Sequence, residues 1–150
     1  MKVDGSPGLF TIGYEDLRID QFVNKLRENA IDTVVDVRLT ASSRRPGFSK
    51  TALTNALAAA GIGYVHERDL GNPPANRDAF RKGDLEEGRV LMRARLENGS
   101  AEALGRLVER AGHERVAVLC VEAVDARCHR QVIVEMAREA KPGMKTVGIW

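Results

Sequence analysis

The chain has 150 residues, of which 43% are hydrophobic and 29% are charged, and its formal net charge is +2. This length suits one core, so we expect residues 1–150 to form a single domain. The composition excludes a disordered chain, and the longest apolar run is far too short to span a bilayer. The first residues carry no apolar segment typical of a secretion signal, which predicts a cytoplasmic protein with two reduced cysteines.

Short apolar runs alternate with segments whose apolar residues recur at helical spacing. Strands are predicted at 9–12, 33–37, 62–66, 115–121 and 145–150. Helices are predicted from residue 19, between Ser49 and Gly61, between Ser100 and Gly112, and over 128–139, with part of another near Val90. This alternation predicts an α/β fold: a three-layer α/β/α domain with a mostly parallel sheet of about five strands.

The unusual residues of the chain come directly after predicted strands. Tyr14 follows the first strand, Asp36 and Arg38 end the second, and residues 120–130 follow the fourth. The carboxyl ends of parallel strands share one edge of the sheet, and ligands bind there near a reversal of strand order. We therefore expect three chain-distant turns to meet and form one electropositive hollow.

Asp36 lies inside an otherwise apolar strand. Desolvating a lone carboxylate is very costly, so Asp36 needs partners, and Arg38 points to the same face. Asp36 either orients an arginine toward a ligand or is purely structural and ties down loop amides. Both interpretations remain open from the sequence.

The segment 42–50, SSRRPGFSK, leads into a predicted helix, and no acidic residue lies between Val37 and His66. A helix N-terminus attracts anions, and Ser43 and Arg44 can add donors for a phosphate or carboxylate. A solvated basic loop explains the same residues. The segment 38–50 is also a candidate contact surface of a non-catalytic module that binds nucleic acid or another protein. The spacing of a P-loop is absent.

Cys120, Cys128 and His129 lie within ten residues of one another. In one interpretation Cys128 is a nucleophile whose pKa is lowered by the helix start and nearby cations, with His129 or Glu122 as acid or base. In a second, the cysteines and His129 bind a metal, although zinc usually takes four ligands and His66 and His113 are not obviously nearby. In a third, Cys120 is a buried apolar residue and Cys128, His129 and Arg130 cap the helix or bind substrate.

Two further residues are candidate ligand contacts at this edge. Tyr14 follows Gly13, which lets the backbone turn closely, and its ring can stack on a ligand or hydrogen-bond to it. A plain strand-to-helix turn explains these residues equally well. Asn72, in the break at 70–74, is a candidate for the same edge.

Five segments in order, TIGYE, DTVVDVR, SSRRPGFSK, GIGYVHERDLGN and VLCVEAVDARCHRQVI, resemble the signature segments of the Domain of Unknown Function 488 family. The resemblance implies a compact α/β fold but no particular reaction. The family's motif positions fall on Gly13, Tyr14, Asp36, Arg38, Ser43, Arg44, Pro46, Phe48, Gly71, Asn72, Cys120, Glu122, Cys128, His129 and Arg130. The chain departs from the family pattern at 39–41, where a proline is usual, and at 123–126.

The run VVDVR also resembles an element of rhodanese domains, which place a catalytic cysteine at the end of a later strand. Cys120 is in a similar place, but Arg127 comes one residue late for a Cys-x5-Arg loop, and no glycine lies between Cys120 and Cys128. Neither sulfur transfer nor phosphatase chemistry is therefore expected at Cys120.

The expected function is an enzyme or ligand-binding domain with a phosphate- or nucleotide-type anion site at the carboxyl edge of the sheet. Arg38, Arg44 and Arg130 would bind a small anionic ligand, and Cys128, His129 or Glu122 would supply any acid, base or nucleophile. A nucleic-acid- or protein-binding module is the alternative. The sequence predicts no membrane partner and no metal, and it identifies no cofactor.

Overall fold

A five-stranded, all-parallel sheet organises the chain. The computed structural model describes residues 5–41, 43, 45–72, 85–120 and 129–149. The strands are β1 (Gly8–Gly13), β2 (Thr33–Asp36), β3 (Gly63–His66), β4 (Arg115–Cys120) and β5 (Thr146–Gly148). The helices are α1 (Ile19–Glu28), α2 (Lys50–Ala59), α3 (Leu85–Asn98), α4 (Ala101–Ala111) and α5 (Arg130–Ala140), and a short 3-10 helix spans Arg68–Leu70.

The strand order is β3-β2-β4-β1-β5, so β4 lies at the centre of the sheet. Thr33 of β2 pairs with Val116 of β4, and Gly13 of β1 pairs with Cys120. The central position explains why β4 is apolar on both faces. Val116 and Val118 are buried on one side of the sheet, while Ala117 and Leu119 are buried on the other.

Helices cover both faces of the sheet. The helices α1 and α2 pack on Phe10, Val34 and Leu119, and the helices α3, α4 and α5 pack on Leu9 and Val116. The connections from β1 to β2 and on to β3 run in one direction along the sheet, and the later two run back. Right-handed crossovers that reverse direction place their helices on opposite faces, which confirms the three-layer α/β/α fold.

The reversal of direction locates the edge at which a ligand is expected. The chain that leaves β4 connects to β5 in one direction along the sheet. The chains that leave its neighbours β2 and β1 connect to the next strand in the opposite direction. In parallel sheets with such a reversal, ligands generally bind beyond the carboxyl ends of the strands on either side of it. Among the described helices, none combines the length and the apolar character that crossing a membrane requires.

Two local features differ from the prediction. The helix α3 extends over 14 residues, whereas the sequence predicted only part of a helix near Val90. Its buried stripe is narrow and includes Met92 and Leu96, so the apolar periodicity of the segment is weak. Ser49 and Ser100 stand at the predicted N-cap positions, but neither side chain makes the capping hydrogen bond. The remaining described elements begin and end within about two residues of their predicted bounds.

Two glycines with positive φ differ in their surroundings and give a matched stability test. Gly47 (φ 88°) lies where a Cβ would be 2.7 Å from Cβ of Ile19, whereas a Cβ on Gly61 (φ 76°) would meet nothing within 4 Å. We expect Gly61→Ala to lower the free energy of unfolding by about 1 kcal/mol through backbone strain. Gly47→Ala should cost about 1–3 kcal/mol more, because the methyl group must also displace α1.

Urea denaturation of the two variants and the wild type measures both costs. Equal losses of stability in the two variants would contradict the close approach of the turn at Gly47 to α1.

Candidate functional site

A buried ion pair closes the carboxyl end of β2. The carboxylate of Asp36 is fully buried and the side chain of Arg38 is 5% exposed. Nε of Arg38 donates to Oδ1 of Asp36 at 2.9 Å and Nη2 donates to Oδ2 at 2.7 Å, while the backbone N–H of Arg38 also donates to Oδ1. This bidentate geometry compensates both charges for the loss of water.

The remaining guanidinium nitrogen of Arg38 joins the pair to two other parts of the chain. Nη1 donates to the carbonyl of Phe48 at 2.6 Å and to the hydroxyl of Tyr14 at 3.3 Å. The rings of Tyr14 and Phe48 are stacked, with centroids 4.3 Å apart. One arginine thus holds together the end of β2, the turn after β1 and the start of α2.

Tyr64 on β3 supplies a further partner for the carboxylate. Its hydroxyl donates to Oδ2 of Asp36 at 2.6 Å. Burial, and then the hydrogen bond to Asp36, raise the pKa of Tyr64 above its ordinary value, so the hydroxyl keeps its proton. Burial alone would lower the pKa of Arg38, but the hydrogen bonds and the charge of Asp36, together with Tyr14, raise it, so Arg38 is always a cation.

Two histidines bind consecutive carbonyl groups just beyond β2. Nε2 of His129 lies 2.9 Å from the carbonyl oxygen of Val37, and Nε2 of His66 lies 2.7 Å from that of Arg38. A carbonyl only accepts, so both rings carry their proton on Nε2. Nothing in the sequence indicated that His66 and His129 are close, yet both contact this one short segment.

These histidines continue the hydrogen-bond ladder of the sheet. The N–H of Val37 donates to Leu119 on the β4 side, and the carbonyl of Asp36 accepts from Glu67 on the β3 side. Within an extended segment, successive residues bond to alternate sides. His129 and His66 therefore occupy the next positions on each side, where the neighbouring strands have ended.

The helix α5 begins at this edge with two basic residues. His129 is the N-cap and is 6% exposed, and Arg130, the first helical residue, is 0% exposed. The first turn of α5 contains no acidic residue. The positive end of the helix dipole at this edge therefore has no carboxylate from its own first turn beside it.

Gly71 and Asn72 follow the 3-10 helix and lie beside the same segment after β2. A Cβ on Gly71 would lie 2.6 Å from Cα of Leu39, and the carbonyl of Gly71 accepts a hydrogen bond from Nε of Arg95 on α3 at 3.0 Å. Asn72 is 5% exposed. Gly71 is required here because of close packing, and its own φ is ordinary.

The other predicted site residues lie in or beside this region in different ways. Oγ of Ser43 accepts from the N–H of Arg45 at 3.1 Å and so shapes the turn. The backbone of Cys120 pairs with Gly13, and its side chain lies outside the described part. Arg44, Glu122 and Cys128 also lie outside the described residues. Among the residues that are described, no three His, Cys, Asp or Glu side chains are placed to bind a metal ion.

The structure therefore brings together Tyr14, Asp36, Arg38, Asn72 and His129 around the end of β2. The prediction overlooked Tyr64 and His66, which lie two residues apart on β3. Their alternation within GYVH and the connection from β2 to β3 through one helix, α2, were the available signals. Such a connection places β3 beside β2, where His66 pairs with Asp36 in register.

The role of the buried pair in stability is tested by Asp36→Asn. Removing the carboxylate charge leaves the buried guanidinium of Arg38 uncompensated, so we expect the free energy of unfolding to fall by about 3–5 kcal/mol. Asp20→Asn is the matched control, because Asp20 pairs with Arg18 at the surface, where the two side chains are 64% and 71% exposed. Its stability should change little. Similar urea midpoints for the two variants would show that the pair at Asp36 contributes no more than a surface pair.

Comparison with known proteins gives one match. The family described as "Domain of unknown function DUF488" matches residues 18–137, which is most of the chain. No curated protein and no solved structure is detectably similar to the chain. The family assignment agrees with the resemblance of the individual motifs, from the DVR element through the histidine at the start of α5. The chain belongs to the family of Domain of unknown function DUF488.

Proposed function

We propose that the carboxyl edge of the sheet binds a small phosphate-type anion between the start of α5 and the segment at 71–72. The observation that carries this proposal is the complete burial of Arg130 at the N-terminus of α5. A site at this edge agrees with the general position of ligands in parallel sheets whose strand order reverses.

Electrostatics supports an anion at this position. A cation at a helix N-terminus is unfavourable, because the helix dipole is already positive there. The first turn of α5 nevertheless begins with Arg130 behind His129 and has no acidic residue. A bound phosphate can accept hydrogen bonds from the guanidinium of Arg130 and from the first backbone N–H groups of the helix together.

Arg38 has a positioning role in this proposal. Each of its guanidinium nitrogens already donates within the protein, and the group lies with Tyr14 and Phe48 on the side of α1 and α2. His129 instead reaches the end of β2 from the side of α5. The buried pair fixes the backbone at 37–38, and the anion contacts come from the opposite face.

A small ligand is favoured over a nucleic-acid backbone. Nucleic-acid binding needs several cations on the surface. Of the basic residues at 38–50, Arg38 is buried, and Arg45 donates through Nε to the carbonyl of Leu17. These contacts leave the segment with a smaller basic surface than its sequence indicated.

Arg130→Gln tests the anion site. With wild type, we expect inorganic phosphate, a nucleoside monophosphate or a sugar phosphate at millimolar concentration to raise the Tm. A charged hydrogen bond contributes about 1.5–3 kcal/mol, so Arg130→Gln should weaken phosphate binding about tenfold or more in calorimetric titration. Arg44→Ala tests the second predicted cation in the same way.

Arg18→Gln is the control for the loss of one positive charge, because Arg18 is an exposed residue of the loop before α1. It should bind phosphate as wild type does. The absence of any shift in the wild-type Tm across the panel would refute the anion site, and so would unchanged binding by Arg130→Gln.

The catalytic form of the proposal assigns the nucleophile to Cys128, which directly precedes the N-cap His129. A thiol next to a helix N-terminus and cations is more acidic than a free thiol, whose pKa is about 8.5. We expect iodoacetamide at pH 7 to label Cys128 about tenfold faster than Cys120, as measured by mass spectrometry of Cys120→Ser and Cys128→Ser. Equal, slow labelling of both cysteines would leave the site a binding site without a thiol nucleophile.

A further inference from the structure

We infer that the ligand of this site is a hydroxylated phosphate ester, such as a polyol or sugar phosphate, and that Oδ1 of Asn72 selects it by accepting a hydrogen bond from its hydroxyl group. This inference rests on the proposed anion site and adds the class of ligand and the residue that distinguishes it.

The backbone before Asn72 is held rigidly. Gly71 packs so closely on Leu39 that any side chain at position 71 would overlap the backbone of Leu39. On α3, Arg95 binds the carbonyl of Gly71. Leu70, one residue earlier, is fully buried in the core that the helices α3, α4 and α5 form on this face of the sheet. Asn72 is thus fixed relative to the end of β2 from two sides, as a residue that discriminates between ligands must be.

The side chain of Asn72 carries an acceptor that the described structure does not use. Asn72 is 5% exposed, and its Oδ1 is buried with no hydrogen-bond partner among the described residues. A buried carbonyl oxygen without a donor is unfavourable, and native structures rarely keep one. An acceptor of this kind beside an anion site is explained by a donor that arrives with the ligand.

Proximity links this acceptor to the cations of α5. Gly71 contacts Leu39, and Val37, two residues earlier, receives the hydrogen bond of His129. Leu70 and Ile133 share the core between the sheet and the helices α3 and α5. Asn72 and the start of α5 therefore flank the same end of β2 on the same face of the sheet.

The chemistry of the two partners defines the ligand class. Oδ1 accepts only, so the ligand must donate at that point. An ammonium group is disfavoured beside the positive end of the helix dipole of α5. A neutral hydroxyl group near the phosphate satisfies both requirements.

A pair of ligands that differ only in their hydroxyl groups tests the inference. Glycerol 3-phosphate and propyl phosphate carry the same charge and the same number of carbons. Calorimetric titration of wild type should give a Kd about three- to tenfold lower for glycerol 3-phosphate, since propyl phosphate leaves Oδ1 unpaired. In Asn72→Leu, which is similar in size but has no acceptor, the two Kd values should become equal, with propyl phosphate bound as in wild type.

Each outcome distinguishes the inference from the anion site. Equal Kd values for the two ligands in wild type would overturn the role of Asn72 and leave the anion site intact, as expected if Oδ1 accepts from a donor elsewhere in the chain. Persistent discrimination in Asn72→Leu would also overturn it. If neither ligand binds wild type, the anion site itself fails. The wild-type comparison does not depend on the variant, and Asn72→Ala, which also lacks an acceptor, serves in its place if Asn72→Leu folds poorly.

Discussion

The ion pair between Asp36 and Arg38 is the interaction on which the arrangement of the carboxyl edge depends. A charged pair this deeply buried adds little stability relative to apolar residues of the same shape, because both ions lose their water. Its geometry, however, admits few alternatives. Five groups from β2, the turn after β1, β3 and the start of α2 must lie in their observed places for the two charges to be satisfied. The need to compensate both buried charges therefore fixes the conformation of the chain at the end of β2.

The sheet separates two kinds of polar chemistry at this edge. On the side of α1 and α2, the charges of Asp36 and Arg38 compensate each other, and the pair is buried beside the stacked rings of Tyr14 and Phe48. On the side of α5, the helix start has no acidic residue in its first turn. The first side is a structural core, and the second is where the proposed anion site lies. The proposal therefore places the ligand on the second side, although the most conspicuous charged residues of the sequence belong to the first.

Much of the fold follows from the sequence, because apolar periodicity and the burial of β4 are strong local signals. The bounds of β1, α2 and α4 and the central position of β4 were all predictable. The narrow buried stripe of α3 was harder to see, since Met92 and Leu96 are embedded among charges. In the site, the pairing of Asp36 with Arg38 was predictable from their spacing. The direction in which the guanidinium points was not, because it depends on Phe48 and Tyr14, which are distant in the chain.

The contributions of His66 and Tyr64 illustrate the same limit. The contact that each residue makes can be predicted only when β3 is known to lie beside β2, in a register that places His66 opposite Asp36. A sequence reveals which residues are polar and where turns fall, but contacts between main chain and side chain across strands require the register. The packing of Gly71 on Leu39 also depends on contacts between distant parts of the chain. In the sequence, the only indication of it is that residue 71 is a glycine.

The imidazole rings of His66 and His129 bind the segment after β2 through hydrogen bonds to its backbone carbonyl groups. The side chains of Leu39 and Thr40 play no part in those two hydrogen bonds. The identity of the residues that follow can therefore change, even to the proline that the family resemblance implies there, without the loss of these two hydrogen bonds. Variation in that loop would alter the surroundings of the edge while the two contacts to the main chain stay in place.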